Sequence, residues 1–82
     1  MKTRLGFVGI IIEDRNRSAT VVNDILSRFG EIILARTGLP RARPEMSVIT
    51  LVVEATTDQV GNLTGSLGQL PGVTVKSGLA KG

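Results

Sequence analysis

The chain has 82 residues, a formal net charge of +3 and neither cysteine nor histidine. Disulfides, thiolate and imidazole metal sites, cysteine nucleophiles and histidine bases are therefore excluded, and we expect no enzyme activity, no metal and no cofactor. A chain this short forms one domain, here 1–82. Ordering it costs about 1.5 kcal/mol per residue, which favours sharing apolar surface with a partner, so length alone predicts an oligomer.

The first predicted element is a strand over Arg4–Glu13, an apolar run rich in β-branched residues. Phe7 and Ile11 lie on one side of it and Val8 and Ile10 on the other. Apolar residues on both sides are typical of a strand in the middle of a sheet with both faces covered.

The next predicted element is a helix that follows the turn-like segment EDRNRS, where Asn16 or Ser18 is placed to cap it. Gly30 stands where a C-terminal cap belongs. A single apolar stripe at helical spacing supports the helix, formed by Val22, Ile25, Leu26 and Phe29.

Two strands follow, over Glu31–Thr37 and Met46–Ala55, with GLPRARPE between them as a hairpin loop. The third strand is again apolar on both sides, with Val48 and Val52 on one face and Ile49, Leu51 and Val53 on the other. The sequence leaves open which of these two faces packs on the helices.

A capping box begins the second predicted helix, with Thr56 at the cap and Gln59 three residues later. Pro71 and Gly72 end it, and a last strand covers 73–76. The domain core is expected over about 4–77, with a loose tail over 78–82. The buried stripe of this helix is predicted to be Val60, Leu63, Leu67 and Leu70.

The element order βαββαβ predicts an α+β, ferredoxin-like sandwich. The apolar first and third strands belong in the centre, which gives an antiparallel sheet ordered 4-1-3-2 with both helices on one face. The other face is apolar and has no cover of its own, so it calls for a partner.

Three glycines in the second helix, Gly61, Gly65 and Gly68, cluster roughly 150° from its buried stripe at about 100° per residue. One interpretation is a smooth surface for another backbone or a ligand. The other is an outer helix face that is not selected for helix propensity.

A second candidate site is the loop that carries Arg36, Arg41 and Arg43, whose guanidinium groups suit a phosphate, a carboxylate or an acidic partner. The alternative is a solvated hairpin loop. Glu13 and Asp14 could form a carboxylate pair, but adjacent residues at a strand end tend to diverge.

The segments RLGFVGIIIEDR, GEIILARTGLP and TGSLGQLPGVTVK together resemble the small ACT-like family of iron-only hydrogenase system regulators. The resemblance runs over about residues 4–76, and its most specific parts are the turn ARTGLP and the entry LPGV to the last strand. It implies an ACT-like fold. For a small-molecule effector it implies a site beside the first loop at a subunit boundary, lined by Asp14, Asn16 and the glycines Gly61, Gly65 and Gly68.

Two departures from related proteins limit what the resemblance implies. Ligand-binding ACT domains carry an acidic-x-Pro-Gly turn after the first strand, whereas EDRNRS has the acid but neither the proline nor the glycine. The resemblance also implies a fold similar to the effector-binding half of nickel-responsive repressors. Those repressors bind metal through histidine and cysteine, which this chain lacks. Neither nickel binding nor autonomous operator recognition is therefore implied.

The leading functional hypothesis is a non-enzymatic regulatory homo-oligomer, a dimer or larger, whose interface senses a small molecule or docks a partner protein. The resemblance places it in regulation of the iron-only hydrogenase system. The alternative is a small basic adaptor that binds nucleic acid or an acidic partner through residues 36–43. The start of the chain has no cleavage site and nothing near 18 apolar residues, which predicts a cytoplasmic protein without membrane contact.

Overall fold

Strands and helices alternate in the predicted order βαββαβ in a computed structural model that describes residues 2–81. Met1 and Gly82, the ends of the expected domain and tail, lie outside the described residues. The elements are β1 (Arg4–Ile12), α1 (Arg15–Arg28), a 3₁₀ turn (Gly30–Ile32), β2 (Ile33–Arg43), β3 (Met46–Ala55), α2 (Thr57–Gly68) and β4 (Val73–Leu79). No helix of residues 2–81 is both long and apolar enough to cross a membrane.

The four strands form one antiparallel sheet in the order β2-β3-β1-β4, which confirms the predicted order and the ferredoxin-like arrangement. Both helices pack on the same face of this sheet and share one core with it. From the sheet, the core takes Val8, Ile10, Ile12, Ile49, Leu51, Val53 and Ala55. From the helices it takes Val22, Ile25, Leu26, Val60, Leu63 and Leu67, which confirms both predicted stripes.

No helix or loop of residues 2–81 covers the opposite face of the sheet, and we name it the open face. Residues paired directly across antiparallel strands point to the same side, so the register assigns its members. Phe7 pairs with Val52 and Gly78, and Ile11 pairs with Val48. The register places on it Leu5, Phe7, Gly9 and Ile11 of β1, Val48, Thr50, Val52 and Glu54 of β3, Ala35, Thr37 and Leu39 of β2, and Thr74, Lys76 and Gly78 of β4.

The start of α1 differs from the prediction, because Asp14 caps the helix and neither Asn16 nor Ser18 does. Asp14 has extended dihedrals, and its Oδ1 accepts a hydrogen bond from the Asn16 N–H at 3.2 Å. Asn16 is thus a donor in the first turn. Ser18 is buried instead, and its hydroxyl donates to the Pro71 carbonyl oxygen at 3.2 Å.

The end of α1 also differs. Phe29 is its C-terminal cap, and Gly30 begins the 3₁₀ turn, so the second strand starts at Ile33 rather than at Glu31. At α2 the predicted capping box is confirmed. The Gln59 N–H donates to Thr56 Oγ1 at 3.1 Å, and Gln59 Oε1 accepts from the Thr56 N–H at 2.8 Å.

The predicted loop GLPRARPE is wrong, because β2 continues through it to Arg43 and leaves a turn at 44–45. The pair Arg43 and Met46 closes the hairpin, and the register is irregular between Leu39 and Arg43. Pro40 lies in this irregular stretch, where its missing N–H is tolerated on an edge strand. We name residues 40–46 the hairpin arm, since β1 ends opposite Ser47 and does not reach it.

The last strand is longer than the predicted 73–76, because β4 runs on to Leu79, into the tail expected over 78–82, and the Ala80 N–H donates to the Leu5 carbonyl oxygen at 2.8 Å. The first half of β1 provides the pairing partners for this extension. Glycine at position 78 leaves room for the Phe7 ring, since a Cβ there would lie 2.7 Å from Phe7 Cε2. The Phe7 ring therefore covers Gly78 on the open face.

Candidate functional site

Asp14 and Asn16, the predicted ligand residues of the first loop, are exposed at the start of α1. Asp14 is engaged as the helix cap. The Glu13 N–H donates to the Gly72 carbonyl oxygen at 2.8 Å, which joins this loop to the turn before β4. Gly72 has a φ of 69°, a left-handed conformation that favours glycine. Glu13 and Asp14 thus serve different backbone contacts.

The glycine face of α2 points away from the core. A Cβ added at Gly61, Gly65 or Gly68 would meet no atom within 4 Å, so no neighbouring backbone of the described chain lies against this face. Gly68 ends α2, on the side of the Glu13–Gly72 contact. Gly61 lies about 10 Å further along the helix axis at 1.5 Å per residue. The structure therefore does not gather all three glycines around Asp14 and Asn16, and the ligand site predicted there stays a prediction.

We expect Gly61→Ala and Gly65→Ala together to raise the free energy of unfolding by about 1–2 kcal/mol. An added methyl group has open space at both positions, and alanine loses less backbone entropy than glycine in a helix. Urea unfolding at fixed protein concentration measures the change. A double variant that is less stable, or that changes oligomeric mass, would indicate that the glycine face contacts a partner.

The three arginines of the predicted basic loop do not come together. Arg36 faces the helix layer, and its Nη2 donates to Oδ1 of Asn23 on α1 at 2.6 Å. Arg41 and Arg43 are exposed on the hairpin arm, which extends beyond β1. Arg43 lies about 23 Å along the strand from Arg36 at 3.3 Å per residue. A single anion therefore cannot bridge Arg36 and Arg43.

A cleft of about 310 Å³ lies between α1 and the inner side of β2, and the sequence did not predict it. We name it the inner cleft. On α1 it is lined by Arg15, Ala19 and Asn23, spaced four residues apart on one side of the helix. The sheet contributes Ile12, Arg36, Gly38, Leu39, Pro40, Ser47, Val48 and Ile49.

The signal for this cleft in the sequence is weak. Ala19 and Gly38 are small residues on the two walls, and a Cβ at Gly38 would meet nothing within 4 Å. Without the register of β2 against β3, nothing in the sequence shows that these residues line the same cleft. The pairing of Gly38 with Ile49 puts Gly38 on the helix side of the sheet.

A second hollow lies on the open face, at the end where β1 and β4 pair. It measures about 430 Å³ and is lined almost entirely by apolar atoms. Leu5 and Phe7 border it with 52% and 53% of their surface exposed. The other residues that line this hollow are Gly6, Val52, Gly78, Leu79 and Ala80. A surface of this composition suits apolar contact rather than chemistry on a polar substrate.

Within residues 2–81, no three acidic side chains come together in a group that could hold a metal ion. The candidate sites in this part of the chain are the apolar open face and the inner cleft with its two arginines.

The fold is ACT-like, as solved structures with the same arrangement show. The fold is similar to the crystal structure of the ACT domain from GTP pyrophosphokinase of Chlorobium tepidum, with a TM-score of 0.78 and 23% identity over 93% of this chain and 99% of that one. It is also similar to the apo form of CPII from Thiomonas intermedia K12, a nitrogen regulatory PII-like protein. There the TM-score is 0.54 and the identity 17%, over 93% of this chain and 90% of that one.

The chain belongs to the TM1266-like family, described as "Iron-only hydrogenase system regulator, putative", whose model matches residues 4–77. The resemblance found in the sequence is thereby confirmed. The uncharacterized protein TM1266 from Thermotoga maritima is 39% identical, with 98% of this chain and 100% of that one covered and a TM-score of 0.90. No protein of curated function matches the chain.

Proposed function

We propose that the protein is a non-enzymatic regulatory module of the iron-only hydrogenase system, and that it acts as a homodimer joined through its open face. The family description supports the regulatory role. The open face carries the rest of the proposal, because it presents exposed apolar side chains from three neighbouring strands. The cytoplasmic location expected from the sequence belongs to the same proposal.

The composition of the open face favours a protein partner. Leu39 is 58% exposed and Val52 is 40% exposed. In the register Leu39 pairs with Val48 of β3 and Val52 pairs with Phe7 of β1, and these two partners are also apolar. The polar members of the face are threonines and two charged residues, Glu54 and Lys76. An apolar surface of this kind on a small domain indicates an interaction site.

The size of the open face fits a second copy of the chain. Strand spacing and rise give it about 19 Å by 23 Å. Protruding side chains raise its accessible area above that projection, toward the roughly 800 Å² that each partner contributes to a standard interface. A two-fold axis would place identical apolar rows against each other, and it would cover the face in both copies with one contact.

In this proposal the dimer is the unit on which a small effector or a partner protein acts. A ligand that binds one state of the interface better than the other would shift the population of that state. Regulation then follows from coupling between ligand binding and assembly, with no chemical step in the module itself.

Light scattering of the unmodified protein between about 1 and 100 μM tests the assembly. We expect twice the chain mass of 8.7 kDa. A protein that keeps the mass of one chain over this range contradicts the dimer. In an organism with an iron-only hydrogenase, deletion of the gene should change hydrogenase activity, and parallel transcript measurements separate an effect on transcription from one on maturation.

One observation favours the alternative of a basic adaptor, since Arg41 and Arg43 are both exposed on the hairpin arm. Fluorescence anisotropy with a labelled DNA or RNA duplex tests it in a salt series. Phosphate binding must weaken steeply as salt rises. We expect no binding at physiological salt, and tight, salt-dependent binding that Arg41→Gln abolishes would favour the adaptor.

A further inference from the structure

We propose that the inner cleft binds a small organic dianion, with one anionic group near Arg15, the other near Arg36 and an apolar segment between them. The inference deepens the proposed regulatory function by naming the chemical class of an effector, and it rests on that function only for the meaning of the binding. The cleft lies within one chain, so binding itself does not require the dimer.

The walls of the inner cleft arise because the helix layer does not cover the inner side of β2. The register of β2 against β3 places Arg36 and Gly38 on the helix side of the sheet, and Pro40 lines the cleft beyond them. At Gly38 the missing side chain leaves open space, and the small Ala19 lines the cleft on the α1 side. The middle of the cleft is therefore both roomy and apolar, with Ile12 and Ile49 at its base.

The charge of the inner cleft has one sign. Its lining residues include two arginines, Arg15 and Arg36, and no acidic residue. Arg36 donates to the neutral Asn23 amide rather than to a carboxylate, so this contact leaves its positive charge uncompensated. A guanidinium has five N–H donors, and a carboxylate or phosphate can accept two of them at once.

The two arginines stand at opposite ends of the inner cleft. Arg36 reaches α1 at Asn23, which is two turns, or about 12 Å, along the helix from Arg15. The backbone N–H of Arg15 donates to the Glu45 carbonyl oxygen at 2.9 Å, which holds the start of α1 against the turn of the hairpin arm. The guanidinium of Arg36 is thus held by Asn23, and the backbone of Arg15 is held at the first residue of α1.

The volume limits the size of the ligand. About 310 Å³ is at the lower end of small-molecule sites, which suits roughly nine to fifteen non-hydrogen atoms. At the ligand efficiency usual for such molecules, a dissociation constant of about 1 mM is expected for an unoptimised probe. Charge at both ends and an apolar middle select for dicarboxylates or equivalent dianions over neutral compounds.

Titration with glutarate, followed by ¹H–¹⁵N NMR spectra of the full chain, tests the proposal. We expect saturable shifts at the amides of Ala19, Asn23 and Gly38, and none with the neutral dimethyl ester at about 10 mM. Butyrate, with one charge, should bind at least tenfold more weakly. Shifts that fail to saturate, or that are confined to residues outside the inner cleft, overturn the proposal.

Variants separate the inner cleft from general charge effects. Arg36→Gln should weaken glutarate binding at least tenfold, whereas Arg41→Gln removes the same charge on the hairpin arm and should leave it within twofold. Gly38→Val places a strand-forming side chain in the open space and should abolish the shifts at Ala19 with the fold intact. Equal loss in Arg36→Gln and Arg41→Gln, or unchanged binding in Gly38→Val, contradicts a site in the cleft.

Light scattering of the same samples distinguishes the two proposals. A monomer that binds glutarate in the inner cleft contradicts the dimer and leaves this inference standing. A dimer that shows no saturable shifts contradicts the inference and leaves the proposed assembly standing.

Discussion

Val52→Lys is expected to convert the proposed dimer to a single chain of 8.7 kDa at about 10 μM, with little loss of monomer stability. Val52 is 40% exposed on the open face, opposite Phe7 and Ala35 in the register. In a free chain the lysine ammonium group reaches solvent. In a face-to-face dimer each copy would bury one such charge among apolar side chains, which costs several kcal/mol per ion.

The matched control for this substitution is Val21→Lys. Val21 is 44% exposed, close to the value for Val52, but it lies on α1 rather than on the open face. We expect this variant to keep the mass of the unmodified protein. Dissociation by Val21→Lys with an intact dimer in Val52→Lys would move the interface to the helix side.

Gly6→Ala is expected to lower the free energy of unfolding by about 2–3 kcal/mol. A Cβ at Gly6 would overlap the Gly78 carbonyl oxygen and the side chain of Leu79, which faces Gly6 across the β1–β4 pair. Backbone atoms of a paired strand cannot yield without separating the two strands. Urea unfolding should be measured in the Val52→Lys background, where assembly does not add to stability.

Gly9→Ala provides the comparison on the same strand. A Cβ at Gly9 would lie 3.8 Å from the Lys76 carbonyl oxygen, which is ordinary van der Waals contact. Alanine there should change the free energy of unfolding by less than about 0.5 kcal/mol. A similar loss of unfolding free energy in both variants would contradict the interpretation that the close approach of β4 excludes a side chain at Gly6.

The order of the strands could be predicted because only β1 and β3 are apolar on both sides. Which side faces the helices was left open. The polar residues Thr50 and Glu54 alternate with Val52 on β3, and they lie on the open face. Their alternation favours the observed choice, since the helix-facing positions of β3 between them are Leu51 and Val53.

The caps show where local reasoning succeeds and where it fails. The capping box of Thr56 and Gln59 depends on two residues at a fixed spacing, and it forms as predicted. At α1 three polar residues, Asp14, Asn16 and Ser18, could cap the helix. Which of them does so depends on the other contacts that each side chain makes. Ser18 is drawn into the interior by its bond to the Pro71 carbonyl, a residue distant in the sequence, so Asp14 is left to cap the helix.

The hairpin arm and the inner cleft depend on pairing that the sequence does not display. Arginine and proline in residues 40–44 suggest a loop, yet antiparallel pairing with β3 extends the strand to Arg43. The same pairing places Arg36 on the helix side of the sheet, where its side chain reaches Asn23 of α1. Which of the candidate arginines lie close together therefore depends on strand register, and the sequence does not show that register.

The pairing of the first strand with the last has a consequence for how the chain could be rearranged. Gly6 lies opposite Leu79, and the Ala80 N–H is bonded to the Leu5 carbonyl, so the path of the backbone through the sheet is almost a closed ring. A short peptide could join the outer ends of β1 and β4, and new termini could open elsewhere in the ring. Such a circular permutant would keep the same sheet but make the β1–β4 ladder a local contact, and it should fold faster because less loop-closure entropy precedes that pairing.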